Sequence, residues 1–144
     1  MAGTGESWLI WALLSAAFAA LTAIFAKVGI ENINSDFATF IRTIVILVAA
    51  GGMVFATGNW QSPSTVSNKT WLFLLLSGLA TAASWICYFR ALKLGPAGQV
   101  APIDKLSVVL VAVFAFTFLG ERYSTVNRVG IALITAGAVL VAVP

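Results

Sequence analysis

The 144-residue chain has no histidine and a single cysteine, Cys87. A disulfide within the chain is therefore impossible. A zinc or di-iron centre, which needs imidazoles or clustered thiolates, is not expected either. Charge is scarce: 9% of the residues are Asp, Glu, Lys or Arg, against about 25% in an ordinary soluble domain. A soluble fold of this size must cover a large surface with polar groups, and this composition cannot. The net charge of +3 is scattered, with no basic run and no basic-aromatic alternation, which argues against a nucleic-acid partner. There is no Gly-x-x-x-x-Gly-Lys loop for nucleotide phosphates. No Ser-Lys pair stands ready for nucleophilic work. An enzyme and an ATP-driven pump are both poorly supported. The amino terminus, MAGTGESWLIW, lacks the basic region of a signal peptide and runs into an apolar stretch too long for one. It reads as a short tail before a first span. Cys87 reads as a small buried filler rather than a reactive thiol.

What the chain does have is apolar length, with 60% hydrophobic residues. A bilayer core of about 30 Å is crossed by about 20 helical residues. Five stretches qualify, at about 8–29, 37–56, 70–92, 99–119 and 126–143. The expected fold class is an all-α integral membrane protein with five transmembrane helices, one domain over residues 1–144. Trp8 and Trp11 suit an interfacial anchor. Ser35 or Asp36 suits the cap of the second helix, and Gly120 the end of the fourth. The segment Thr57 to Ser64 is rich in turn formers and makes the longest loop. Five spans put the two termini on opposite faces.

Counted over loops alone, one face carries Lys69, Arg122 and Arg128 and the other Lys27 and Lys93, three against two. That bias fixes no orientation. Counting two turns into the spans adds Arg42, Arg90 and Lys105 to the second face, three against five, and favours a cytoplasmic carboxyl terminus. The same count shows a clustering. Lys27 ends the first span, Asp36 and Arg42 open the second, Arg90 and Lys93 end the third, and Asp104 and Lys105 open the fourth. A charged vestibule around a cavity is one reading. Long stems snorkelling to the headgroups is the other, and it suits Lys27, Arg90 and Lys93 better than the deeper Arg42 and Asp104. Asp104 and Lys105 are neighbours and point about 100° apart on a helix, so Arg42 or Arg90 is the expected partner of Asp104.

Polar stripes extend this pattern. Ser77, Thr81, Ser84 and Tyr88 recur at helical spacing in the third span, and Thr39 and Thr43 follow Asp36 in the second. Asp104 and Ser107 share a face of the fourth. The candidate solute or ion path is thus Asp104, Arg42, Arg90, Lys105 and Ser107, with Thr39, Thr81, Ser84, Trp85 and Tyr88 along it and Phe89 beside them. The ordinary alternative is that hydroxyls bond their own helix or a neighbour and that the aromatics pack or face lipid. Gly95, Pro96, Gly98 and Pro102 break the chain between the third and fourth spans and are the expected hinge. The last span carries Gly130, Ala136 and Gly137 within small-xxx-small spacings, which suit helix packing or dimer contact.

The stretch Trp85 to Glu121, with YFRALKLGP and VAPIDKLSVVLVAVFAFTFLGE, resembles the EamA-type domain of the drug/metabolite transporter superfamily. The Ala-Leu-Lys-x-Gly-Pro link, the Pro-opened fourth helix and the closing Leu-Gly-Glu carry the resemblance. The small-residue last helix and Lys27 fit it. It covers nearly the whole chain, and the single five-span unit with Pro102 to Ser107 is similar to the five-helix bacterial and archaeal transporters. The resemblance implies a secondary transporter of small metabolites or drugs in a bacterial or archaeal plasma membrane, working by alternating access, coupled to an ion or proton or run as an exchanger. It implies no cofactor and no metal. Larger members join two five-helix halves of opposite orientation. One half implies a homodimer, parallel or antiparallel, with the path between subunits. The four-helix small multidrug resistance proteins, similar in their last helix, carry a glutamate in the first. Here Ile10 to Ala26 has no carboxylate, and the matching position falls near Ala19. Asp104 is left as the interior carboxylate for a cation, a proton or an amine, with Arg42 or Arg90 as its partner when empty. The competing class is a structural or assembly subunit without transport, with the last helix as its working surface.

Overall fold

The computed structural model describes residues 7–143. The tail expected before the first span, up to Glu6, and the terminal Pro144 lie outside the described residues. Six α-helices and one short 3-10 turn follow in order: α1 Ser7–Gly29, α2 Ser35–Ala56, the turn Pro63–Thr65, α3 Asn68–Leu94, α4 Ala97–Asp104, α5 Ser107–Phe118 and α6 Thr125–Ala142. There are no strands among the described residues. Five stretches are long and apolar enough to cross a bilayer: Trp8–Gly29, Ser35–Ala56, Asn68–Leu94, Ala97–Phe118 and Thr125–Ala142. Most of their large side chains, such as Phe18 at 66% and Leu47 at 71%, are exposed on the bare protein, as lipid-facing side chains must be.

The helix ends show why the boundaries fall where they do. The cap of α2 is Asn34, one residue before the Ser35 or Asp36 expected. Its Oδ1 accepts from the Asp36 and Phe37 N–H groups at 2.8 and 3.2 Å. This residue alone is extended (φ −65°, ψ 134°), as an N-cap has to be. Asp36 then falls in the first turn, where the helix dipole favours a carboxylate. At the other end of α2, Asn59 N–H returns to Val54 O at 3.1 Å and Gly58 N–H to Phe55 O at 3.2 Å. That pattern needs a left-handed residue, and Gly58 supplies it with φ 67°. Gly120 does the same after α5 with φ 68°, as expected.

The fourth span departs from the single helix expected over 99–119. It starts at Ala97, behind an extended Pro96, so Pro102 lies inside α4 rather than opening it. A proline there has no N–H to donate and its ring crowds the carbonyl four residues back. One turn later the ladder tightens. Lys105 N–H bonds Pro102 O at 3.1 Å, and Leu106, Val108 and Val109 N–H bond Ile103, Lys105 and Leu106 O at 3.0 Å each. These contacts are three residues apart, not four, and the helix restarts at Ser107 as α5. An interrupted span survives at membrane depth only where its backbone groups find partners or line a cavity.

By contact the chain divides into two compact units, Met1–Phe25 with Leu94–Pro144, and Ala26–Lys93. In the first, α6 packs on α4 and on α5, with Ala115 and Ala138 buried. Gly130 is half-buried, whereas Ala136 and Gly137 are exposed. In the second, Ile30, Phe89 and Leu92 are buried. This second unit carries most of the charged cluster.

Candidate functional site

Within the unit Ala26–Lys93, charged side chains occur at successive depths. At the helix ends, two lysines cross. Lys27, in the last turn of α1, donates to Leu92 O at 2.6 Å. Lys93, in the last turn of α3, donates to Ile30, Glu31 and Ile33 O at 2.6, 2.7 and 3.1 Å. The final carbonyls of a helix have no partner in their own ladder and sit at its negative end. Lys27 therefore satisfies a terminal carbonyl of α3, and Lys93 holds the carbonyls of the turn that follows α1. The snorkelling reading does not describe these two, because their ammonium groups are held by protein carbonyls.

Deeper, Arg90 of α3 grips Asp36 of α2 with both prongs of its guanidinium, Nε to Oδ1 at 2.9 Å and Nη2 to Oδ2 at 2.7 Å. A bidentate fork is the strong form of this contact. The sequence pairs Asp104 with Arg42 or Arg90 and offers Ser35 or Asp36 as the cap of α2, so this pair is not the one expected. The signal that could have found the pair is a carboxylate opening one span while an arginine closes its antiparallel neighbour on the same face.

Deeper again, the Arg42 guanidinium lies over the Trp85 ring at 4.2 Å and near the Phe89 ring at 5.4 Å. Arg42 is six residues past Asp36 and Trp85 five before Arg90. At 1.5 Å per residue this level is about 8 to 9 Å further into the span than the ion pair. Cation-π attraction is strongest on tryptophan and grows when the charge is shielded from water. Phe89 is buried, and Arg42 and Trp85 are half-buried. Arg42 has no hydrogen-bond or ion-pair partner among the described residues. Of the three aromatics expected to line a path, Trp85 and Phe89 lie against Arg42, and Tyr88 sets its ring edge-on to Phe89 at 6.4 Å.

The threonines of the stripes serve their own helices. Thr39 Oγ1 donates to Ser35 O at 2.9 Å, Thr43 to Thr39 O at 2.8 Å and Thr81 to Ser77 O at 2.9 Å. Ser84 is exposed. Because its hydroxyl is already bonded within α3, Thr81→Val is expected to leave unfolding within about 0.5 kcal/mol of the parent and flux unchanged. A substantial loss of flux in proteoliposomes would restore Thr81 to the path. Cys87 is exposed rather than buried, on the face of α3 away from Arg42.

In the other unit, Asp104 and Lys105 meet at 3.4 Å, although neighbours on a regular helix diverge. They fall where α4 ends and the ladder tightens, so the regular offset no longer applies. Ser107 opens α5 and is exposed. Gly95 and Pro96 form the link from α3 to α4, and Gly98 and Pro102 lie inside α4. An apolar hollow of about 390 Å³ lies along α5 and α6, with Val113, Phe116 and Ile131 in its wall and Tyr123 and Arg128 as polar members. The Tyr123 phenol, beyond the end of α5, has its pKa raised, first by desolvation and then by its hydrogen bond to Glu121 at 3.2 Å. No group of His, Cys, Asp or Glu among the described residues could hold a metal ion.

Five apolar helices, with ionisable side chains at several levels of one helix pair, define a multi-span membrane protein. The chain belongs to the EamA-like transporter family, whose model matches residues 6–143. It is 64% identical over 138 residues to an uncharacterized transporter in the cobO 3′ region of Sinorhizobium sp., covering 96% of this chain and 98% of that one. It is 38% identical over 111 residues to the Sodalis glossinidius protein named "Probable 4-amino-4-deoxy-L-arabinose-phosphoundecaprenol flippase subunit ArnF", covering 69% and 85% of the two chains. To the uncharacterized transporter YxxF of Bacillus subtilis it is 27% identical over 138 residues, 93% of this chain but 42% of that longer one. No solved structure matches it.

Proposed function

We propose that the chain is a secondary transporter of small metabolites or drugs. It would cycle between inward- and outward-open states as a homodimer in a bacterial or archaeal plasma membrane, driven by an ion or proton gradient or by exchange. The observation that carries this reading is Arg42. A guanidinium inside a span costs several kcal/mol unless something compensates it, and a helix that only packs would do better with an apolar residue there. Here the charge is kept beside two aromatic rings, with no hydrogen-bond or ion-pair partner among the described residues. Family membership supports transport as the activity. The relatives' names range from a transporter to a flippase subunit for a lipid-linked sugar, so they leave the solute open. The exposed small residues Ala136 and Gly137 on α6 offer a surface on which a second copy could approach closely. Asp104 beside the interrupted fourth span is the group for the coupling cation or proton.

The test is flux into proteoliposomes by the purified chain alone. Transport without any other protein excludes the assembly-subunit reading. In the same assay Asp104→Asn is expected to remove gradient-driven accumulation while leaving the fold intact. Unchanged accumulation by a normally folded variant would take Asp104 out of the mechanism.

A further inference from the structure

The two arginines of the Ala26–Lys93 unit are in opposite states. Arg90 has both prongs on the Asp36 carboxylate. Arg42, deeper in the span, lies 4.2 Å from the centre of the Trp85 ring and 5.4 Å from that of Phe89, with Tyr88 as a further electrostatic neighbour. A guanidinium is planar, and its five N–H donors point outward within that plane. None of these donors makes a hydrogen bond or ion pair among the described residues, so the ring contacts place the Arg42 charge and leave its hydrogen-bonding capacity to a ligand. A half-buried guanidinium without a hydrogen-bond partner among the described residues matches the two oxygens of a carboxylate or a phosphate.

The surrounding charge has the same sign. Four cations, Lys27, Arg42, Arg90 and Lys93, stand against two carboxylates, Glu31 and Asp36, at this end of the unit. Asp36 is already committed to Arg90. No carboxylate among the described residues is within ion-pair distance of Arg42, so an arriving cation would meet the guanidinium's repulsion and no counter-charge. From these facts we infer that Arg42, framed by Trp85 and Phe89, is an oxyanion-binding subsite, and that the solute is a small organic anion presenting a carboxylate or phosphate. The inference rests on the transport reading for the use of the site, but not for its existence. Trp85 and Phe89 are positioning residues that aim the guanidinium. The Asp36–Arg90 pair, nearer the helix ends, completes the neutralisation of Asp36, so that its charge does not turn the anion away.

The experiment titrates the purified, detergent-solubilised chain with benzoate, methyl phosphate and tetramethylammonium, read by thermal shift and by tryptophan fluorescence. Benzoate and methyl phosphate are expected to stabilise the protein and to change a fluorescence component that is missing in Trp85→Phe. Tetramethylammonium is expected to do neither. Arg42→Gln should weaken anion binding about 10- to 100-fold, the range of a charge-assisted hydrogen-bonded contact. Arg42→Lys, which keeps the charge and the ring contact but loses the fork, should fall between and also reports that the fold tolerates a change here. Equal anion binding by wild type and a folded Arg42→Gln overturns the site, as does binding of tetramethylammonium that depends on Arg42. A third arm repeats the titration in phosphatidylglycerol and phosphatidylcholine nanodiscs. Once the negative surface potential of the phosphatidylglycerol disc is allowed for, equal affinities are expected for a soluble solute. Loss of binding in phosphatidylglycerol alone would hand the subsite to a lipid headgroup and overturn the solute assignment. Anion binding without flux would sink the transport reading and leave the subsite standing. Cation flux indifferent to Arg42→Gln would do the reverse.

Discussion

Reversing either charge of the Asp36–Arg90 pair is expected to abolish flux and most of the folded protein, and reversing both is expected to bring back a large part of each. The pair joins α2 to α3 across 54 residues of sequence by two hydrogen bonds of 2.7 and 2.9 Å. Asp36→Arg would set two guanidinium groups at hydrogen-bond distance with no counter-charge between them. It would also place a cation in the first turn of α2, at the positive end of the helix dipole. Arg90→Asp would do the converse near the end of α3. The side chains are 47% and 60% exposed on the bare protein. In water such a pair would contribute little, but both residues fall inside the candidate spans, where a lone charge costs more than it does in water.

The double reversal restores attraction but sets both charges against their helix dipoles, so recovery should be incomplete. Detergent-extractable yield and flux in proteoliposomes read the two effects separately. Two single reversals that fold and transport normally would show that the fork is incidental. Singles that fail together with a double that also fails would show that each residue acts through something other than its partner. Asp36→Asn is the milder control. It keeps the shape, removes the charge, and should impair flux less than the reversal.

The five spans were legible because their signal is length. A run of about 20 apolar residues survives any error of two residues at its ends, and α3 exceeded the expected 70–92 by only that much at each end. The interruption of the fourth span was not legible in hydropathy, because residues 105 and 106 are a matter of backbone hydrogen bonds. Pro102 signalled a break, but the ladder fails after the proline rather than at it. The gathering of Lys27, Asp36, Arg42, Arg90 and Lys93 at one end was legible for the same reason as the spans, since each lies at a countable distance from a span end. Their partners were not. Arg90 finds Asp36, and Lys27 and Lys93 find backbone carbonyls that no side-chain pattern announces. Arg42 could be singled out by its depth, but not its seat on Trp85 and Phe89, which depends on how α2 and α3 are rotated about their axes. The threonine stripes left two readings open, because back-bonding to the preceding turn has the same spacing as a polar face, and Thr39, Thr43 and Thr81 do bond back.

The crossed lysines lead to the second large effect, expected for Lys93→Met. The ammonium of Lys93 lies within 2.6 to 3.1 Å of three carbonyl oxygens, those of Ile30, Glu31 and Ile33, in the turn between α1 and α2. Ile30 itself is 1% exposed and Leu92, beside Lys93, is 0% exposed. Methionine keeps the length and packing of the stem and deletes only the donor. The carbonyls then lose charge-assisted bonds worth about 1.5 to 3 kcal/mol each, which do not add in full because they share one nitrogen. A loss of about 2 to 4 kcal/mol follows, read as a lower unfolding midpoint in mixed micelles. Lys93→Arg should recover only part of it, since a flat guanidinium cannot point three donors at oxygens that converge on one atom. Leu94→Met, at a 90% exposed neighbour, should be near neutral and sets the baseline. Combining Lys93→Met with Lys27→Met should cost less than the sum of the two, because both lysines tie the same two helix ends and the second change acts on a junction already loosened. Strict additivity would mean that the two contacts are independent, and an unfolding midpoint for Lys93→Met equal to that of Leu94→Met would mean that the carbonyls are satisfied by water and that the clasp holds nothing.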